Sequence, residues 1–76
     1  MVNNIVKDCV LATNQTYVKA LKKDNIFTKE AQEEAFKITY DSVVKILSSE
    51  AEEYITSTYG DLETYLTYKI EAEVNA

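Results

Sequence analysis

The reactive groups of this 76-residue chain are one thiol, thirteen carboxylates, eight lysines and six tyrosines, with no imidazole and no arginine. Without histidine, neither a Ser–His nor a Cys–His nucleophile pair can be assembled, and zinc or another nitrogen-bound metal lacks its ligands. Cys9 falls on an apolar face, so it reads as a small buried hydrophobe and not as an activated thiol. A single cysteine also leaves no internal disulfide, which points to a reducing environment. The carboxylates gather as Glu30, Glu33 and Glu34, then Glu50, Glu52 and Glu53. Both groups lie where helices begin, and the helix dipole and solubility already account for acids there. The stretch Asp24-Asn25-Ile26-Phe27-Thr28 lacks the alternating oxygen ligands and the glycine of a calcium-binding loop. No glycine-rich phosphate loop is present, and Asn14-Gln15-Thr16 matches a glycosylation acceptor only in the middle of a helical pattern. The expectation is a protein that is not an enzyme, with no catalytic residue, metal ligand or cofactor site.

Recognition chemistry is left, and its carriers are the tyrosines. Most can bury a ring while the hydroxyl reaches water or a carbonyl, which suits a thin bundle. Exposed tyrosine is also enriched at interfaces. Tyr68 lies off the Leu62, Leu66, Ile70 stripe, and with Tyr65 and Glu71 it forms the candidate interaction surface. Residues 1–47 carry seven lysines against six acids, whereas residues 48–76 carry seven acids against Lys69 alone. That acidic half is either a solvated helix face or a docking surface for a basic partner. Net negative charge without arginine argues against nucleic acid as a partner.

Four amphipathic segments must position these groups. Val2, Ile5, Val6, Cys9, Val10, Thr13, Tyr17, Ala20 and Leu21 recur at spacings of three and four, which predicts a helix over 2–23 ending at Lys22-Lys23. Thr28 is the expected N-cap of a second helix over 28–47, with Ile26 and Phe27 folding back as a hydrophobic staple. Its broad stripe, from Ala31 and Ala35 through Ile38 to Ile46, predicts a central helix. Ser49-Glu50-Ala51-Glu52 fits a capping box, so Ser49 is expected to cap a third helix over 50–59. Gly60, the only glycine, is expected to end that helix in the left-handed conformation, and Asp61 to cap a fourth over 61–75. No proline, internal repeat or linker interrupts the pattern. The fold class is all-α, a compact bundle of about four helices in one domain spanning 1–76. No apolar run approaches the roughly 20 residues needed to cross a bilayer, so the chain as given reads as soluble.

Asn14-Gln15-Thr16-Tyr17, Leu21, Phe27, Glu30-Ala31-Gln32 and Ala35-Phe36, followed by Tyr59-Gly60-Asp61-Leu62, Leu66 and Ile70-Glu71-Ala72-Glu73-Val74, carry a resemblance over nearly the whole chain. Together they resemble the C-terminal region of small phage or prophage proteins grouped as LL-H-type holins. What the resemblance implies is a helical tail preceded by a membrane segment that lies outside these 76 residues. The parent protein would sit at the bacterial inner membrane, on its cytoplasmic side, and permeabilise it so that endolysin reaches the cell wall. Such a tail has no catalytic residues. It would form a homo-oligomer, with self-association through the first helix, or regulate one. A soluble adaptor that binds a protein partner through the acidic, tyrosine-bearing half is the alternative.

Overall fold

The computed structural model describes residues 2–75, and among them the chain is all-helical with no strand. The first helix, α1, covers residues 2–23 as three continuous stretches, Val2–Thr13, a π turn over Asn14–Val18, and Lys19–Lys23. After a turn at 24–28 come α2 (Lys29–Ile46), α3 (Ser49–Tyr59) and α4 (Leu62–Val74). Helix α1 packs on α2 and α4, α2 also approaches α4, and α3 makes its close backbone contacts with α4 alone. The result is long and narrow, 42 × 20 × 18 Å. A 22-residue helix spans about 33 Å, so α1 runs most of that length.

Each boundary has a local cause. Asn25 follows α1 at φ 60°, the Ile26 N–H donates to the Leu21 carbonyl at 2.9 Å, and the Asn25 N–H donates to that of Lys22 at 3.1 Å. This paired arrangement is a Schellman motif, and asparagine is the non-glycine residue that best tolerates it. Thr28 caps α2, its Oγ1 accepting from the Ala31 N–H at 3.2 Å. Phe27 is half-buried beside it, whereas Ile26 is 52% exposed and does not close the staple expected of the pair.

The cap of α3 lies one residue earlier than the capping box implied. Ser48, not Ser49, is extended at φ −74°, ψ 159°, and its Oγ accepts from the Ala51 N–H at 3.1 Å. With Ser48 as cap, the third helical position is Ala51 and no glutamate is placed to reach back. The cause is the short link from α2: Leu47 is extended and buried, which leaves Ser48 as the first residue free to cap.

Gly60 ends α3 with its N–H donating to the Thr56 carbonyl at 2.9 Å. Its φ of 95° is positive as expected, but ψ is −73°, outside the left-handed helical basin. Asp61 then caps α4, with its carboxylate accepting from both the backbone N–H of Thr64 at 2.8 Å and the Thr64 hydroxyl at 2.7 Å. Those two bonds, the hydroxyl first, hold the Asp61 carboxyl below its ordinary range.

The core is built from Val6, Cys9 and Val10 of α1, Val43 and Leu47 around the end of α2, Ile55 of α3, and Leu66 and Ile70 of α4. Leu66 and Val43 are fully buried. At its edge Thr13 and Thr39 join α1 to α2 through their hydroxyls at 2.7 Å. Thr13 Oγ1 also lies 2.9 Å from the Cys9 carbonyl, and Thr39 Oγ1 2.9 Å from that of Ala35. Two hydroxyl protons thus serve three contacts, and the pair must share them. Satisfying both hydroxyls makes this buried polar pair tolerable inside an apolar contact.

The π turn changes which face of α1 points inward. A regular helix would follow Thr13 with Tyr17 and then Ala20 and Leu21. The wider i→i+5 turn takes one more residue, so Val18, five positions after Thr13, is buried instead. Tyr17 and Leu21 are only half-buried and Ala20 is exposed. The polar run Asn14-Gln15-Thr16 stays on the outside, and Thr16 donates back to the Ala12 carbonyl at 2.8 Å. Back-bonding of this kind favours distortion of a helix.

Candidate functional site

Two regions bring functional groups together. The first is the surface of α3 and α4. Tyr68 is 67% exposed, Tyr54 65% and Tyr59 57%. Glu71 lies one turn beyond Tyr68 on α4 and is exposed, so these two predicted surface residues share a face. Tyr65 is placed differently. It is half-buried against the core, its ring stacks on Tyr59 with centroids 4.4 Å apart and an interplanar angle of 21°, and Lys69 Nζ lies 5.6 Å from its centroid. Tyr65 therefore fastens the end of α3 to the start of α4 across Gly60-Asp61, and contributes an edge and not a free ring to the surface. A shallow acidic depression beside it is lined by Asp61, Glu63, Thr64, Tyr68 and Glu71. The acids also reach Tyr40 on α2, whose phenol is pushed up by burial and then by Glu63, Asp61, Glu52 and Asp41.

The second region is a cleft of about 330 Å³ between the far half of α1, the first half of α2 and the C-terminal end of α4. Its walls are Val10, Val18, Ala35, Phe36 and Ile70, and the Thr13–Thr39 pair lies along it. Lys22 stands at the end nearest the α1–α2 turn, with Nζ 5.5 Å from the centroid of Phe27, another lining residue. Glu71 and Asn75 line the end formed by α4. Volume and lining match the general pattern of small-molecule sites, apolar walls with a few polar groups at defined places.

The cleft was not foreseen from the sequence. Its walls combine the inward register that the π turn creates, in which Val18 faces in, with side chains from α2 and the C-terminal end of α4. The one usable signal was the polar interruption Asn14-Gln15-Thr16 within an otherwise apolar helical pattern. No family model, curated protein or solved structure matches this chain.

The remaining groups have structural surroundings. Cys9 is buried, and burial, followed by the charge of Asp8, pushes its thiol up, away from the reactive thiolate. Among the described residues no cluster of three or more His, Cys, Asp or Glu side chains could hold a metal ion. Among them also, no helix is long and apolar enough to cross a membrane. Thr28, Gly60 and Asp61 act at helix ends, as does Ser48 in place of Ser49.

Proposed function

We propose that this chain is a non-enzymatic helical tail that works by assembling with copies of itself. The observation that carries the reading is the exposure of Tyr54, Tyr59 and Tyr68 on α3 and α4. Rings of this kind supply large contact area at low entropic cost and are favoured at interfaces. The surface residues most directly implicated are Tyr68 and Glu71 on α4, with Tyr54 exposed on the neighbouring helix α3. Self-association through the outer side of α1, where Leu11 is 52% exposed, is a second contact of the same kind.

The setting follows from the resemblance to holin-like phage and prophage proteins. In that setting the tail sits on the cytoplasmic side of the bacterial inner membrane and its assembly governs permeabilisation by a preceding membrane segment. A reading of the upstream codons tests this part. About 20 consecutive apolar residues ahead of Val2 support it, and a gene that starts at Met1 overturns it. The assembly claim is tested by light scattering of the chain and of a Tyr54→Ser, Tyr68→Ser double variant across a concentration range. Association that the variant loses supports it, and a strict monomer overturns it.

The acidic character of residues 48–76 favours a second reading, an adaptor that binds a basic protein partner through the same tyrosines. Salt separates the two. Copies with a net charge of −5 repel, so added salt strengthens self-association, whereas it weakens an acidic face bound to a basic partner.

A further inference from the structure

We infer that the cleft beside the π turn, which shares Glu71 with the tyrosine surface, is a binding site for a medium-chain monocarboxylate. Three features of the cleft determine the ligand class. Its middle is apolar, formed by Val10, Val18, Ala35 and Ile70, and the Thr13–Thr39 pair satisfies its own hydroxyls and so makes no strong demand on a ligand. That section takes a hydrocarbon.

Its ends differ in charge. Lys22, at the turn end, is exposed and offers one ammonium, with the amide of Gln32 also lining the cleft. Glu71, at the α4 end, places a carboxylate there. An amphiphile with an anionic head therefore binds in one direction, head at Lys22 and tail toward Ile70 and Val74. A single ammonium suits a monoanion. A phosphate would call for several donors or a guanidinium, and the chain has no arginine.

Size selects the chain length. At about 330 Å³ the cleft lies at the small end of the roughly 300–1,000 Å³ typical of small-molecule sites, which suits a medium chain such as octanoate and not a long fatty chain.

The probes are sodium butanoate, hexanoate and octanoate, with 1-octanol as the uncharged control, each titrated into the full chain. Binding is read from the backbone amide shifts of Val18, Ala35 and Ile70. The expected result is saturable one-site binding of octanoate, weakening by roughly an order of magnitude for every two methylenes removed. Lys22→Gln, at an exposed position, is expected to weaken octanoate about two- to fivefold without changing the affinity for 1-octanol. Ala35→Leu, which fills the cleft, is expected to abolish saturation. Shifts that never saturate or that ignore chain length overturn the site. Octanoate affinity untouched by Lys22→Gln overturns the carboxylate assignment. Both of these readouts stand even if Ala35→Leu fails to fold.

Discussion

Replacing Gly60 by alanine isolates the backbone cost of the α3–α4 connection. A Cβ built at Gly60 meets nothing within 4 Å, so the substitution adds no clash. All of its effect must come from φ 95°, ψ −73°, a conformation that L-residues rarely adopt. Holding a non-glycine residue in such a region costs about 1–3 kcal/mol. In a domain of 60–100 residues each 1 kcal/mol moves the melting temperature by about 4–8 °C. Gly60→Ala is thus expected to melt at least about 4 °C below the parent, and by as much as about 24 °C at the upper end. Thermal unfolding followed by circular dichroism at 222 nm gives the measurement. Gly60→Val is expected to be worse, because a β-branched residue resists positive φ more strongly. A Gly60→Ala melting curve that overlays the parent would show that the two-residue link relaxes freely into another conformation. The stacking of Tyr59 on Tyr65 across the link would then not depend on the glycine, and the reasoning fails.

Three further outcomes follow from the packing and the caps. Thr13→Val and Thr39→Val are each expected to cost about 1 kcal/mol in urea unfolding, and the double variant less than the sum, because either single change already abolishes the hydroxyl–hydroxyl contact that the two share. Strict additivity would show that the two hydroxyls do not depend on each other. Leu66→Ala, at a fully buried position, should cost about 2–5 kcal/mol, a large part of what a chain of this length has, and lower the urea midpoint accordingly. A midpoint shift of a few tenths of a molar would place Leu66 outside the core. Asp61→Asn should lower the melting temperature at neutral pH and lose its effect in acid. The folded-state carboxyl is depressed, so its contribution is present above the unfolded value near pH 4 and disappears as pH falls through the folded value. A gap between parent and variant that persists unchanged in stronger acid would assign the effect to something other than the ionised cap.

Helix count, order and approximate ends were legible because local signals agreed: apolar residues every three or four positions, lysines closing α1, Thr28 and Asp61 placed as caps, and one glycine between α3 and α4. Ser48 and Ser49 are chemically alike and adjacent, so composition alone could not choose the cap. The buried, extended Leu47 made the choice. Asn25 carries no apolar or charge signal, and its positive φ becomes apparent only once Ile26 bonds back to Leu21. The inward register beyond Thr13 was hidden for a physical reason. A periodicity of 3.6 residues assumes an unbroken α-helix, and the π turn substitutes Val18 for Tyr17 on the inner face. From that single change follow the exposure of Ala20 and the placing of Lys22 at a cleft. Of the three candidate surface residues, Tyr68 and Glu71 are exposed on one face. Tyr65 shares the same helix, yet it turns partly inward because Tyr59 offers it a ring to stack on.

Assembly through the tyrosine-bearing helices is tested most directly by sedimentation velocity of the chain from micromolar to millimolar concentration, at low and at high salt. The account predicts a sedimentation coefficient that rises with concentration and rises further when salt screens the charge of −5 on each copy. A coefficient that stays at the monomer value at every concentration and both salt levels would contradict it.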